Sequence, residues 1–523
     1  MPILNKGGRR SLDGHLLAST EQYKTRTISD FLDTDYKECA KYIIRSRACP
    51  SLCDGLKISG RKVMYSAFVG PTRNGDEVKF LSLSGSVFEK TLYPHGDSGL
   101  HDAIFTRGAD FSDNLHLLEI VGQHGTLRCP NAKSSPRYLS VKLSKYSKLL
   151  KTDWDLLEYV EDEGEVLEPF NFLPIVPLVI VSAQQGLAPG YKFLNAVPMN
   201  PLGVVDACVD VIKEGHTSRQ LEPYVKGIKQ ENFIYSDKSR RWTSKGEYSI
   251  DLKNNVVKIV DLPYGVTYKA FEEGLNDLAD NGKIRDWKNF SQDGNIDYRI
   301  VFAPGKLSAM SQPDKVNNLE SMLMLTKLVD RNILNVRDEK GKLIYFETGE
   351  ELTEYFVKWR LTKYQVRKDR MVSVLEQRYK DNSDLCKFIE LVNSGKIKIQ
   401  NRKKSDVKKD LDKEKLPHSV LSIEISKLTD EEKEELLKKN REIHDEIEYV
   451  KATSIEDMYL NDLAKLRKEL EKDFPEQLNS PKKRSSSKKS VETETVKDST
   501  EEETSEKPKK KTKKTKITSN TLL

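Results

Sequence analysis

Apolar positions follow helical spacing over most of this chain and alternate along one stretch near its middle. In "TISDFLDTDYKECAKYIIRSRACPSLCDGLKISGRKVMYSAF" (Thr27 to Phe68), Tyr42, Ile43 and Ile44 lie one turn past Cys39. Val63, Met64 and Phe68 recur at helical spacing, with breaks at Pro50 and Gly55. A short helix, a turn, a second helix and glycine-rich connections suit a helix-turn-helix or winged-helix unit. Farther on, "RWTSKGEYSIDLKNNVVKIV" alternates like a hairpin, and "DLPYGVTYKAFEEGLNDLADNGKIRDW" with "NIDYRIVF" predicts strand, helix, strand.

Helical spacing returns in "VNNLESMLMLTKLVDRNIL", expected as one amphipathic stretch. It continues over 351–395, a helix of about 45 residues and on the order of 65 Å if unbroken. A third helix is expected from "LTDEEKEELL", where Thr429 and Glu432 form a capping box and Leu436, Ile443, Ile447 and Val450 share a face. Such stripes pair as a coiled coil, most simply as an antiparallel helical pair within one subunit. These shifts divide the chain into a flexible lead-in at 1–27, a helical domain at 28–150, an α+β domain at 151–312, a helical domain at 313–475 and a disordered, lysine-rich tail at 476–523.

Charge sharpens the division. Of 87 Lys and Arg and 81 Asp and Glu, residues 1–150 hold 22 and 15, residues 151–480 hold 52 and 59, and residues 481–523 hold 13 and 7. The two ends are basic, the middle is acidic, and five of the eight histidines fall in the first 150 residues, so a surface for a polyanion is expected at the ends. The longest apolar run, "FLPIVPLVIV", is too short to span a bilayer and holds two prolines. No signal peptide is evident, which leaves the chain in the compartment that made it, and six scattered cysteines suit a reducing one.

The candidate chemistry narrows to a few places. "GLKISGRK" has phosphate-loop glycine spacing, but Arg61 and Lys62 stand where lysine and a hydroxyl belong, which excludes that loop. Cys49 and Cys53 lack a second metal-ligand pair at finger spacing. Arg45, Arg47, Lys57, Arg61 and Lys62 on two short helices could converge on a phosphate backbone, or form a solvated face. His95, between proline and glycine, sits in a turn that suits a site. In "SSPRYL", Tyr138 follows Arg137. A tyrosine hydroxyl, with a pKa of about 10, attacks a phosphodiester only with cations beside it. Arg137, Arg47 and His95 would supply that help, yet Arg-Tyr pairs are common and the residues alone leave Tyr138 open.

In order along the chain, "SRACPSLCDGLKISGRKVMYSAF", "TLYPHGDSGLHDAI", "GQHGT" with "SSPRYLSVKLS", "EPFNFLPIVPLVIVSAQQGLAPG" and "DLPYGVTYKAFEEGLNDLADNGKIRDW" resemble five motifs of the DNA breakage-reunion subunit of type IIA DNA topoisomerases. The likeness spans about residues 28–470 and is greatest to the medium subunit of the split-subunit enzyme of tailed phages. It implies a multidomain α+β chain with a winged-helix cleavage domain, an α/β tower domain, long coiled-coil helices and a helical exit gate, followed by a disordered basic tail.

The same resemblance implies roles. Tyr138 becomes the nucleophile of a 5′-phosphotyrosyl intermediate and Arg137 its adjacent cation. Arg47 and His95 meet the scissile phosphate, with His95 taking or relaying the tyrosyl proton. Lys57, Arg61 and Lys62 grip the DNA backbone, and Leu187 wedges between base pairs. Tyr93, Gly60, Pro136 and Pro189 depart from the family pattern. The acidic constellation that holds Mg²⁺ in the family is missing from this sequence, so Mg²⁺ and ATP are expected on a partner, a large chain that binds metal and hydrolyses ATP. The expected assembly is a homodimer on duplex DNA, off the membrane, in the cytoplasm (the host's for a phage protein), with a nuclear address in the tail left open. Relaxation and decatenation without supercoiling are expected. The rival is an inactive DNA-binding scaffold.

Overall fold

A computed structural model describes residues 27–162, 164–292, 294–312, 315–398, 402–422 and 430–476. The expected lead-in before Thr27, the Thr429 capping box and the tail beyond Glu476 lie outside the described residues. Helical backbone runs from 28 to 48, α-helical at Ile28–Phe31 and Lys37–Ile43 and wound wider at Leu32–Tyr36 and Ile44–Ala48. Thr27 caps its start by accepting a bond from the Asp30 amide at 3.1 Å. It stops at Cys49, which is extended as a residue before proline tends to be.

A turn at 51–55 leads into the helix Ile58–Val69, followed by Phe80–Thr91 and Asp97–Gly108. A three-stranded antiparallel sheet backs them, with Ser140–Leu143 between Val78–Lys79 and Leu118–Val121. Val63, Met64, Phe80, Leu83, Leu100, Ile104 and Val141 are buried between these layers. That core does not stop at residue 150: Phe172, Leu202, Phe356 and Tyr459 belong to it as well.

The expected hairpin forms between Glu247–Asp251 and Val256–Asp261, and Tyr298–Val301 and Asp286–Asn289 extend it to four antiparallel strands. The helix Tyr268–Asp280 covers one face, and Phe271 and Leu275 pack on Val257, Ile259 and Ile300 in a core of their own. The single helix expected over 316–334 is not there. Val316–Met322 is helical, Met324 turns to a left-handed φ of 53°, and Thr326–Leu328 becomes an edge strand on Arg241–Lys245. Leucines at this spacing serve either structure, and here the open strand edge decides.

The long helix spans Gly349–Asn393, 45 residues, its N-terminus capped by Thr348. Asp430–Ala452 packs along it in the opposite direction: Leu375 meets Ile447 and Val450, while Ile389 meets Leu436. This is the antiparallel pair within one chain. The helix Ile455–Leu470 then returns to the main core, where Tyr459 stacks on Tyr364 with ring centroids 4.6 Å apart. Among the described residues, no helix is long and apolar enough to cross a membrane.

One buried carboxylate holds the turn at 51–55 in place. Asp54, fully buried, accepts bonds from the Leu56 amide at 3.0 Å, the Phe172 amide at 3.1 Å, and Arg61 Nε and Nη2 at 2.7 and 3.0 Å. Removing it strands a buried guanidinium, so Asp54→Ala should cost about 3–5 kcal/mol, and Asp54→Asn most of that, read as a lower denaturant midpoint. A loss below about 1 kcal/mol in both would show that the turn is held by something else.

Candidate active site

The turn fixed by Asp54 follows directly on Arg47, the last charged residue of the helical run 28–48. Arg47 is exposed, and its Nη2 lies 3.3 Å from Nδ1 of His95. His95 reaches this point because the helix Phe80–Thr91 ends at Leu92 in a left-handed conformation, φ 46°. The next helix begins at Asp97 with Gly96 as its cap. Tyr93 is buried in that connection, edge-to-face with both Phe88 and His95 at 5.5 and 5.6 Å. The aromatic ring at position 93, a departure from the family pattern, thus builds the wall behind the imidazole. Burial, and secondarily the charge of Arg47, holds the His95 pKa below the usual imidazole value.

Arg47 and His95 border a basin of about 1060 Å³ whose wall also includes Lys57, Arg107, His124 and Lys133. Lys57 donates to the Gln185 carbonyl at 2.7 Å, and burial, then the nearby Arg107, lowers its pKa. Arg107 is itself buried, 3.8 Å from Asp113. His124 was not foreseen; its Nδ1 lies 2.9 Å from the Gly122 carbonyl, so the ring is anchored to the loop that leads toward Tyr138.

Arg61 and Lys62, expected to grip a DNA backbone, are turned inward. Arg61 is bound to Asp54, and Lys62 lies 2.9 Å from Glu168 and donates to the Thr91 carbonyl. Both are under one-tenth exposed, because each has a carboxylate within the core to neutralise it. Their charges frame the site from behind.

Arg137 and Tyr138 form, with Pro136, a single 3₁₀ turn that opens the strand Ser140–Leu143. Pro136 occupies the first position of that turn, where its fixed φ fits, and the Tyr138 amide donates to Ser135 at 3.0 Å. Tyr138 is 74% exposed. Among the described residues its hydroxyl has no hydrogen-bond partner and the exposed Arg137 guanidinium no ion pair. The structure does not bring these two to the basin: neither borders it.

Leu187, 70% exposed, sits near the tip of the hairpin Gln184–Ala188 and Tyr191–Asn195. Gly186 beside it lies so close to the Ala48 backbone that a Cβ there would stand 1.9 Å from the Ala48 carbonyl oxygen. Only glycine fits. The contact ties the exposed leucine to the segment that carries Arg47. Asp54, Gly186 and His124 are the residues that pattern reading passes over; the Asp-Gly pair at 54–55 marks a turn, but nothing in the sequence marks its burial.

Among the described residues, no three His, Cys, Asp or Glu side chains are grouped to hold a metal ion.

The fold is similar to the Plasmodium falciparum topoisomerase II DNA-binding, cleavage and re-ligation domain, with a TM-score of 0.72 and 24% identity over 84% of this chain and 65% of that one. Residues 47–470 match the family model for the A subunit of DNA gyrase/topoisomerase IV, and the chain belongs to that family. It is 29% identical over 485 residues to the mitochondrial DNA topoisomerase 2 of Dictyostelium discoideum, covering 89% of this chain and 37% of that protein. It is 27% identical over 520 residues to DNA topoisomerase 2 of Acanthamoeba polyphaga mimivirus, covering 83% and 40%. The chain therefore spans roughly two fifths or less of the length of these relatives.

The lowered pKa of His95 has a measurable sign. The folded state favours the neutral ring, a contribution present above the unfolded imidazole value of about 6.5 and lost as pH falls through the folded one. Arg47→Met should raise the His95 pKa only part of the way, because burial, the larger cause, remains; a ring NMR titration reads it. A His95 value unchanged by Arg47→Met would remove the charge contribution.

Proposed function

We propose that this chain breaks and rejoins duplex DNA as the cleavage part of a type II topoisomerase, with Tyr138 as nucleophile. The observation that supports it most is the 3₁₀ turn that presents an exposed tyrosine beside an arginine whose charge no side chain among the described residues neutralises. In this reading the Tyr138 Oη–phosphorus bond forms as the phosphorus–O3′ bond breaks. The tyrosyl proton passes to water and the departing 3′ oxygen gains one, and rejoining runs the same step backwards. Arg137, Arg47 and His95 offset the charge that builds on the phosphate oxygens.

The three helices and sheet at 58–143 act as the winged-helix platform, and the four-stranded sheet at 247–301 as the tower. The antiparallel helix pair carries the exit gate at its far end. Lys57 faces the backbone of the bound duplex and Leu187 enters the base stack. The chain works as a homodimer, and ATP and Mg²⁺ belong to a large partner chain, as in the split-subunit phage enzymes that the sequence resembles.

The test is detergent-trapped cleavage of plasmid DNA by the chain with its large partner, Mg²⁺ and ATP. Wild type should give linear DNA with this chain covalently attached at the 5′ ends, and Tyr138→Phe none, with DNA binding kept within about twofold. DNA binding without an adduct from either form, with a large partner shown to be active, would favour the inactive scaffold. Leu187→Ala, at an exposed position, should leave folding unchanged and reduce the bend of a short bound duplex, measured by energy transfer between its ends. An unaltered bend would remove the wedge role.

A further inference from the structure

The contact between Arg47 and His95 constrains where the imidazole proton can sit. A guanidinium has only donors. At 3.3 Å, Arg47 Nη2 therefore uses the lone pair of His95 Nδ1, and the proton of the neutral ring is on Nε2. No side chain or backbone group among the described residues meets Nε2, and His95 borders the basin. The ring cannot easily turn to exchange its nitrogens. Tyr93 packs edge-to-face against it at 5.6 Å with an interplanar angle of 87°, and Phe88 holds Tyr93 in turn at 5.5 Å and 86°. Tyr93 itself is 9% exposed, so this wall has little room to yield.

We infer that His95 serves the breakage reaction as a neutral hydrogen-bond donor through Nε2, with Arg47 fixing the tautomer and Tyr93 the ring orientation, and does not act as the base that takes the tyrosyl proton. A base needs a free lone pair, and the one lone pair of this neutral ring faces Arg47. Nε2–H instead offers its proton to a non-bridging phosphate oxygen, where a donor gains strength as negative charge develops. The tyrosyl proton leaves through solvent at the exposed Tyr138 hydroxyl. Arg47 thus has two effects on one phosphate: its own charge, and the orientation of a second donor. The inference rests on the breakage reading given above and assigns a role within it.

Two measurements separate the inference from that reading. In the full chain labelled with ¹⁵N at histidine rings, the Nδ1 and Nε2 shifts of His95, assigned with His95→Gln, should report the Nε2–H tautomer at neutral pH. Arg47→Met should release the ring to a mixture. In trapped cleavage by the complete complex, His95→Gln places an amide donor near the position of Nε2. It should keep cleavage within about tenfold of wild type, whereas His95→Asn and His95→Ala lose about 10²–10³-fold, the scale of one lost oxyanion donor. An Nδ1–H or charged ring at neutral pH would overturn the inference, as would His95→Gln falling to the level of His95→Ala. If no form of the complex gives an adduct, the breakage reading fails, and the ring shifts of the free chain still decide which nitrogen carries the proton.

Discussion

Burying a carboxylate is tolerable only when every lone pair finds a donor, and Asp54 meets that condition with partners from three places in the chain. Its own turn supplies the Leu56 amide, the following helix supplies Arg61, and a segment more than a hundred residues on supplies the Phe172 amide. Arg61 extends the knot to the Asn171 side chain at 3.3 Å, and Ser51 reaches the same oxygen at 2.7 Å. From the other side, Arg337 donates to the Cys49 carbonyl and Leu52 to the Arg337 carbonyl. The turn that joins the Arg47 segment to the helix Ile58–Val69 is therefore fixed from both flanks. The position of Arg47, which lies beside His95, depends on a residue outside the basin.

Around that fixed turn, the site sorts its cations by what lies behind them. Arg61, Lys62 and Arg107 have buried carboxylates and hold the frame. Arg47 and Arg137 are exposed, and no carboxylate among the described residues is paired to them. The buried pairs thus fix the frame, while Arg47 at the basin and Arg137 on its 3₁₀ turn keep their charge toward solvent. Gly186, pressed against Ala48, carries the same rigidity to the Leu187 hairpin. The exposed Leu187 and the segment that carries Arg47 are thus parts of one body.

Much of the architecture is legible because it depends on local periodicity. The helix Gly349–Asn393 and its antiparallel partner show as long stripes, and the central hairpin shows as alternation. The stretch 316–334 misleads because its leucines satisfy a helix face or a strand, and its partner strand, Arg241–Lys245, lies some eighty residues away. The role of Lys62 is hidden for the same reason, and that of Arg61 because nothing in the sequence marks the burial of Asp54, only seven positions away. A sequence displays a charge but not the carboxylate that will meet it, and Glu168 is 106 positions from Lys62. Tyr138 stands out only through its place in an ordered set of motifs, since an Arg-Tyr pair carries no distinguishing pattern. Its exposure, and the lack of an ion pair on Arg137 among the described residues, are properties of the fold.

The most direct measurement is the chemical identity of the protein–DNA bond itself. The covalent complex, trapped and digested with trypsin and nuclease, would be read by mass spectrometry for the peptide that carries a nucleotide. Cleavage after Arg137 and Lys142 would release the peptide 138–142, and the mechanism predicts that its tyrosine bears a 5′-linked phosphodiester. A nucleotide on any other residue, or a linkage through a 3′ phosphate, would contradict it.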